Sequence, residues 1–195
     1  MSTTARVSQV AVVGGGPAGL MAAQTLAQAG VQVDLFDAMP SVGRKFLLAG
    51  KGGMNLTHSE PLAHFMPRYG AQAAQLQAWV QAFGPPALRA WAHGLGVDTF
   101  VGSSGRVFPT DMKAAPLLRA WLHQLRLAGV RFHMRHRWTG WADAGQGSLG
   151  FDSPAGPVTV QPQATVLALG GGSWARLGSD GAWLPLLQAR GVATQ

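Results

Sequence analysis

Three glycines near the start of the chain, Gly14, Gly16 and Gly19 in the segment GGGPAG, have the spacing G-x-G-x-x-G. Glycine-rich chains produce this spacing by chance, so the surrounding residues decide what it means. Here a short β-branched run precedes the glycines, a helical pattern follows them, and the next predicted strand ends near an acid, Asp37. The combination predicts a turn that binds a dinucleotide.

Each of these glycines has its own physical reason. Gly14 permits the tight turn, Gly16 lets a pyrophosphate approach the main chain, and Gly19 lets the helix pack against the strand. The pyrophosphate then meets unpaired N–H groups at the positive end of the helix. Asp37 comes 18 residues after Gly19 and is placed to accept hydrogen bonds from ribose hydroxyls. Because a carboxylate repels a 2′-phosphate, NADP is disfavoured at this site. The candidate binding residues of the segment are Gly14, Gly16, Pro17, Ala18, Gly19, Asp37 and Ala38.

A second glycine-rich stretch, LLAGKGGMNLTHSE at 47–60, has the composition of an anion-binding loop. A P-loop needs a glycine five residues before its Gly-Lys pair and a serine or threonine after the lysine. Lys45 stands five residues before Gly50, and Gly52 follows Lys51. Both requirements fail, which excludes a P-loop NTPase.

Other catalytic chemistry finds little support. The sequence has no cysteine, which excludes disulfides, zinc–thiolate sites, iron–sulfur clusters and thiol redox catalysis. No Ser-His-Asp or paired-carboxylate arrangement stands out, so no catalytic residue is assigned. Arg106 stays open between binding an anionic substrate and pairing with an acid. The histidines are interpreted as structural or exposed, and no metal site is predicted; they include His58, His123, His133 and His136.

The net charge of +7 raises the question of nucleic acid, since arginines cluster between Arg119 and Arg137. Nucleic-acid binding also needs a reading element, and none is recognisable, so a solvated helix face is the preferred interpretation. Near the N-terminus the glycines interrupt the apolar run that a signal peptide or membrane helix would need. We therefore expect a cytoplasmic protein with a small-molecule substrate, without nucleic-acid or membrane partners. The oligomeric state cannot be predicted.

Strand, glycine turn, helix and strand make a βαβ unit, and the pattern predicts an α/β, Rossmann-type domain with a parallel sheet and a small antiparallel β-meander. The predicted elements are a strand at 9–13, a helix at 16–29, a strand at 31–38, a loop from Met39 to Pro61, helices at 76–83 and 88–95, strand and turn at 97–109, a helix to about Ala128 capped by Thr110 or Asp111, a strand at 130–141, antiparallel strands at 149–162, an apolar strand from 164 running into glycines, and a helix begun within 179–195.

Four ordered blocks resemble a known family. GGGPAG with its flanks, GRKFLLAGKGGMNLTHSE at 43–60, GSSGRVFPTDMKAAPLLRAWL at 102–122 and ATVLALGGGSWARLGSDGAW at 164–183 look like bacterial NAD(P)/FAD-dependent oxidoreductases. These are the aminoacetone-oxidase-like flavoproteins and their relatives, the bile-acid dehydro-reductases. The last block is also similar to the strand of glutathione-reductase-type flavoproteins that returns to the cofactor. With the N-terminal position of the glycine turn, this favours FAD over NAD.

The resemblance implies further cofactor contacts. Arg44 and Lys45 would lie near the FAD phosphates or ribityl chain, although solvated loop cations are the alternative. Gly52, Gly53 and Asn55 would lie close to the flavin, although for Asn55 and Thr57 a self-capping turn is equally favoured. Trp138 is near where this fold contacts adenine, but plain packing is the preferred interpretation. Gly170 and Gly171 would let a ligand meet main chain at the end of the last strand.

The chain also departs from the family pattern. The commoner loop is Gly-Gly-Gly-Arg-Cys-Asn, where residues 50–55 are Gly-Lys-Gly-Gly-Met-Asn, and Asp37 stands where Glu is more usual. Family members are about twice as long. The resemblance therefore implies that 1–183 form an incomplete FAD-binding domain and that 184–195 begin the connection to a substrate domain, with weak FAD retention as the expectation.

The resulting hypothesis is an FAD-dependent oxidoreductase of unknown substrate, in which the flavin carries the hydride transfer. NAD(P)H as electron donor is implied by the resemblance alone, because no second dinucleotide motif is present. Three alternatives stay open: an NAD-linked enzyme on a similar fold, a non-catalytic dinucleotide sensor, and a flavin-dependent RNA-modifying enzyme.

Overall fold

Strand β1 (Arg6–Val13), helix α1 (Pro17–Gln28) and strand β2 (Val33–Asp37) form the predicted βαβ unit, with β1 and β2 parallel. They belong to a computed structural model that describes residues 6–49, 52–142 and 147–194. The helix ends where expected, because Gly30 has a φ of 80° that other residues rarely adopt. The described residues form two compact units, one up to Lys45 and from Leu125 onward, the other from Phe46 to Gln124.

The first unit contains a six-stranded sheet in the order β6-β2-β1-β9-β8-β7. Its further strands are β6 (Arg131–Met134), β7 (Arg137–Trp141), β8 (Leu149–Ser153) and β9 (Gly156–Leu167). Strands β6, β2, β1 and β9 are mutually parallel, whereas β7 and β8 continue the sheet as an antiparallel meander. The α/β fold class with its parallel sheet and meander is therefore confirmed.

Strand β9 corrects the prediction of two separate segments at 149–162 and from 164. It is one strand of 12 residues that first pairs antiparallel with β8 and then parallel with β1. Pro162 does not interrupt it, because proline adopts an extended backbone and removes only one main-chain donor. The meander and the parallel sheet are thus joined by a single continuous strand.

The single strand predicted at 130–141 is wrong, since β6 and β7 lie on opposite edges of the sheet order. Between them Arg135 has a φ of 58°, a left-handed conformation that ends the extended run. The N–H of Arg135 donates to the Met39 carbonyl at 3.1 Å, and the N–H of His136 donates to the Asp37 carbonyl at 2.9 Å. These bonds hold the bend against the end of β2, which alternating residue types alone cannot reveal.

The loop predicted from Met39 to Pro61 contains two elements that the sequence interpretation missed. They are helix α2 (Arg44–Ala49) and the short strand β3 (Thr57–His58). RKFLLA consists mainly of residues that favour helices, and only its shortness and the flanking glycines concealed it. Gly50 and Lys51, which entered the P-loop comparison, lie outside the described residues.

The second unit contains helices α3 (Leu62–Phe65), α4 (Ala73–Ala82) and α5 (Pro85–Gly94), with a 3₁₀ helix at Met66–Gln72. Strands β4 (Thr99–Val101) and β5 (Arg106–Pro109) form a hairpin, and β3 completes the antiparallel order β3-β5-β4. Helix α5 begins three residues before the predicted start, because Pro85 fits the first helical position. Both predicted helices are confirmed, and the predicted strand and turn at 97–109 is a hairpin of two strands.

Helix α6 (Ala114–Leu127) begins later than predicted, so neither Thr110 nor Asp111 is its N-cap. Instead, the Asp111 carboxylate accepts the N–H of Lys113 at 3.1 Å in a turn before the helix. The predicted apolar face is correct, since Leu117, Trp121 and Leu125 are buried. Gly129, with a φ of 84°, follows the helix as expected.

Each unit has its own buried residues. The core of the first unit lies where β1, β2 and the meander meet, and Phe36 stacks on Phe151 at 4.4 Å between ring centroids. In the second unit Trp91 meets Trp121 edge-on at 4.8 Å. The first unit ends with helix α7 (Leu184–Gln188), the helix predicted within 179–195. Among the described residues, no helix is both long and apolar enough to cross a bilayer.

Candidate functional site

The glycine turn between β1 and α1 shows why each glycine is needed. A Cβ on Gly14 would lie 2.2 Å from the carbonyl oxygen of Ala168, and one on Gly19 would lie 1.9 Å from that of Gly14. Both contacts are with main chain, so a side chain cannot be accommodated there. A Cβ on Gly16, in contrast, would meet no atom within 4 Å. Packing therefore requires Gly14 and Gly19, while Gly16 leaves the main chain open to a ligand.

The carboxylate of Asp37, at the end of β2, is fixed by main-chain donors. Oδ2 accepts the N–H of Gly15 at 2.6 Å, and Oδ1 accepts the N–H of Met39 at 2.7 Å. Burial raises the pKa of Asp37, although the two N–H donors and the charge of Arg44 act in the opposite direction. A carboxylate has about four lone-pair positions, so two remain for a ligand's hydroxyl groups. The adjacent Ala38 is partly buried.

The N-terminus of α1 is open to solvent. Pro17 and Ala18 are exposed, and Leu20 donates the first helical N–H, to the Gly16 carbonyl at 2.9 Å. The N–H groups of a first helical turn have no partner within the helix, and the helix dipole makes this end positive. The 12 residues of α1 thus present an anion-binding end beside the open main chain of Gly16.

Arg44 and Lys45 begin α2, which is tied to the glycine turn because the N–H of Gly43 donates to the Gly15 carbonyl at 2.8 Å. The Arg44 guanidinium makes a weak bond of 3.4 Å to Ser41 Oγ. Its Nε is buried and has no partner among the described residues. An unpaired buried donor of this kind is costly unless a ligand or water satisfies it.

Lys45 contacts the loop that follows β9. Its Nζ donates to Ser173 Oγ at 2.8 Å and lies 3.3 Å from Ser179 Oγ. Gly170 and Gly171 lie in the same loop and are exposed. Gly170 has a φ of 71°, and a Cβ on Gly171 would meet nothing within 4 Å. The two serines were not singled out from the sequence. Ser173 directly follows the glycine run 170–172, which was the available signal, whereas Ser179 follows only Gly178.

Gly52, Gly53 and Asn55 lie in the second unit. Gly53 has a φ of 122°, and a Cβ there would be 2.6 Å from the Met112 side chain. Asn55 donates both amide hydrogens to main chain, to the Thr57 carbonyl at 2.9 Å and to the Val107 carbonyl at 3.1 Å. Its amide nitrogen therefore holds β3 to β5, which agrees with the turn alternative. The structure brings the remaining candidate residues together in the first unit.

Three of the histidines named from the sequence, His58, His133 and His136, have structural partners, and His123 is exposed. His58 accepts the N–H of Glu60 at Nδ1, which assigns the proton to Nε2, where it meets the Ser104 carbonyl at 3.0 Å. His133 bonds to the buried Asp34 at 2.6 Å, and His136 to the Met134 carbonyl. No group of three or more metal-binding side chains occurs within the described ranges.

Trp138 packs against Trp141 in the core, as the preferred interpretation had it.

Comparisons with known proteins agree with this geometry. The sequence profile of the HI0933-like protein Rossmann domain matches residues 8–195. A segment of 38 residues, 20% of this chain, is 60% identical to 6% of the Escherichia coli K12 protein named "Putative oxidoreductase UacF".

Solved structures share the fold at low identity. A 3-ketosteroid-Δ4-(5α)-dehydrogenase from Rhodococcus jostii RHA1 superimposes with a TM-score of 0.63 at 18% identity, over 85% of this chain and 46% of that one. A flavocytochrome c3 fumarate reductase does so with a TM-score of 0.57 at 17% identity, over 85% of this chain and 34% of that one. The chain thus spans less than half of either structure and a small part of the curated relative.

Proposed function

This chain belongs to the HI0933-like Rossmann-domain family, and from that premise we propose that it is an FAD-dependent oxidoreductase whose first unit holds the adenosine and pyrophosphate half of FAD. The membership confirms the resemblance carried by the four sequence blocks. The observation that carries the proposal is the arrangement of Gly16 and Asp37. The open main chain of Gly16, at a helix N-terminus, directly follows Gly15, whose N–H donates to the Asp37 carboxylate.

The residues present fit such a cofactor. The open main chain at Gly16 and the first turn of α1 would hold the pyrophosphate, and the two spare lone-pair positions of Asp37 would accept ribose hydroxyls. The unpaired Nε of Arg44 supplies a buried donor for an anionic oxygen. Lys45 adds a second positive charge at the glycine loop after β9. Because Asp37 would repel a 2′-phosphate, NADP is disfavoured at this site.

Several finer assignments belong to the same proposal. When bound, FAD supplies hydride transfer, and the protein's part is to bind and orient the cofactor. NAD(P)H serves as electron donor, a small molecule is the substrate, and the protein is cytoplasmic. Residues 1–183 belong to the FAD-binding domain, with Gly52, Gly53 and Asn55 facing the flavin, and 184–195 lead toward a substrate domain. The structural neighbours named as a steroid dehydrogenase and a fumarate reductase support the oxidoreductase part of the proposal.

Cofactor titration tests the proposal directly. The 195-residue chain is dialysed against FAD, FMN and NAD separately, and bound ligand is measured by absorbance. FAD is expected to bind in a one-to-one ratio and more tightly than the other two. NAD binding more tightly than FAD would instead support an NAD-linked enzyme, and no dinucleotide binding would overturn the proposal.

Turnover distinguishes an enzyme from a sensor. NADH and NADPH oxidation is followed with an artificial acceptor in the presence of FAD and protein, and the control contains the same FAD without protein. Protein-dependent oxidation supports the oxidoreductase. FAD binding without any protein-dependent rate supports the sensor.

A further inference from the structure

The second unit contains a cavity of about 460 Å³ between its helices and the β3-β5 strands. This volume falls within the range of small-molecule sites in proteins. All its lining residues belong to the second unit, so the cavity does not depend on the dinucleotide turn of the first. Residues that matter for its chemistry are His58, Phe65, Arg68, Tyr69, Phe83 and Arg106.

The cavity contains one cation that the protein does not neutralise and one that it does. Arg68 donates to the carboxylate of Glu60 at 2.9 Å, so its charge is paired within the protein. Arg106 has neither an ion pair nor a hydrogen bond from its side chain among the described residues. Its guanidinium therefore keeps its donors for a ligand. The alternative left open by the sequence, an acid partner for Arg106, finds no support in the described ranges.

The wall around Arg106 is rigid. Arg106 pairs directly across from His58 in the β3-β5 ladder. Both ring nitrogens of His58 are bonded to main chain, and a Cβ on Gly105 would lie 2.5 Å from that ring, so only glycine leaves it room. The ring is therefore held in place on the strand that pairs with Arg106. A preorganised wall lowers the entropic cost of binding a ligand.

The cavity also has apolar lining residues. Phe65 and Tyr69 meet edge-on at 5.8 Å between ring centroids, and the other apolar lining residues include Val80, Phe83 and Leu88. Phe83 is 45% exposed, more than a side chain of the core would be. The start of α5 also lines the cavity through Gly84 and Pro85, but Pro85 and Pro86 have no N–H to donate, so the anion contact rests on Arg106.

We propose that this cavity binds an organic anion whose carboxylate or phosphate group pairs with Arg106 and whose aromatic or apolar body lies against Phe65, Tyr69 and Phe83. A planar anionic group can accept two parallel bonds from a guanidinium. The apolar wall selects against small inorganic anions, which gain nothing from it.

Calorimetric titration of the 195-residue chain tests the proposal with three probes that share a naphthyl body. They are 2-naphthylacetate, its neutral amide 2-naphthylacetamide, and 2-naphthyl phosphate. Titration without added flavin keeps the result independent of the proposed cofactor. We expect saturable binding of at least one anion, and affinity for the amide about tenfold or more below that of the acid, because one charge-assisted bond is lost.

Variants then locate the site. Arg106→Gln is expected to weaken anion binding about tenfold or more, and Arg106→Lys to weaken it less. Arg119→Gln removes the same charge from an exposed position of the second unit outside the cavity, and it should bind as the native chain does. Whichever anion binds more tightly identifies the head group, and either result supports the proposal.

Three results would overturn the proposal: no saturable binding of either anion, binding of the neutral amide as tight as that of the better-binding anion, or unchanged anion affinity in Arg106→Gln. The acid–amide comparison uses the native chain, so it stands even if a variant folds poorly. A flavin that fails to bind leaves all these outcomes unaffected.

Discussion

The carboxylate of Asp37 accepts the main-chain N–H of Gly15 at 2.6 Å, and this bond ties the end of β2 to the turn that follows β1. A second bond, from the N–H of Met39, occupies the other carboxylate oxygen. Asp37 therefore shapes the glycine turn before any ligand arrives. An acid predicted only as a ribose partner has a structural role as well.

Asp37→Asn tests both roles, since thermal stability reports on the turn and FAD affinity reports on the ribose contact. The amide keeps one acceptor oxygen but turns an NH₂ group toward either Gly15 or Met39, which removes a charge-assisted bond worth about 1–3 kcal/mol. We expect lower thermal stability and FAD affinity reduced about tenfold or more. Asp152→Asn removes a charge from an exposed position on β8 and serves as the control. Native stability and native FAD affinity in Asp37→Asn would refute the assignment.

Two glycines of the turn, Gly16 and Gly19, should respond differently to a side chain. Gly19→Ala places a methyl group against the Gly14 carbonyl, and such overpacking costs about 1–3 kcal/mol or more. Gly16→Ala meets no atom within 4 Å, and its φ of −76° suits any residue, so stability should change by about 1 kcal/mol or less.

FAD affinity should respond to Gly16→Ala, the variant whose stability is expected to change little. Gly16→Ala is expected to lose affinity for FAD while remaining folded, because the added methyl group occupies the ligand's approach to the main chain. Chemical unfolding and FAD titration of both variants check this. Gly16→Ala that binds FAD as well as the native chain would show that the pyrophosphate does not lie there.

The βαβ unit could be predicted because local signals agree over it: a β-branched run, glycines at fixed offsets, a helical period and an acid at the next strand end. The same residue types could not reveal the bend at Arg135, because its left-handed conformation is stabilised by Met39 and Asp37, almost a hundred residues earlier. Likewise, β9 continues through Pro162 since both neighbouring strands support it. Long-range pairing, and not propensity, decided these elements.

The candidate site was predictable to a similar extent. The motif identified Gly14, Gly16, Gly19 and Asp37, but nothing in it indicated that Lys45 would contact Ser173 and Ser179, more than 120 residues away. That contact depends on β9 lying beside β1, which brings the loop after β9 to the glycine turn. A side-chain bond across such a distance requires the topology to be known first.

Lys45→Met tests whether the lysine serves the loop or a ligand. The side chain is partly buried and its bonds to Ser173 and Ser179 are with neutral hydroxyls, so we expect a stability loss of about 1 kcal/mol or less. Loss of a phosphate-facing charge should weaken FAD binding and reduce its dependence on salt.

Two variants complete this test. Ser173→Ala removes one bond of the lysine but no charge, and Lys113→Met removes an exposed charge from the second unit. If Ser173→Ala weakens FAD binding as strongly as Lys45→Met does, the lysine acts by positioning the loop. A result in which none of the three variants changes FAD affinity would exclude Lys45 from the site.

The environment of Asp34 should make the stability of the first unit depend on pH. The carboxylate is fully buried, and burial alone would raise its pKa, but the bonds from His133 and Arg131 outweigh burial and hold the pKa below its ordinary value of 3.8. A lowered pKa in the folded state contributes stability that is present above 3.8 and is lost as the pH falls through the folded value.

Urea unfolding between about pH 6 and pH 3 measures this contribution. The free energy of unfolding of the native chain should fall as the pH is lowered. That of Asp34→Asn should be about 2–3 kcal/mol lower at neutral pH, because a buried amide cannot satisfy both donors. It should also change less with pH. Asp152→Asn, at an exposed position, should follow the native curve. Parallel curves of unfolding free energy against pH for the native chain and Asp34→Asn would show that Asp34 does not govern the loss of stability in acid. The Asp180–Arg137 pair would then account for it, because the pKa of Asp180 is also lowered.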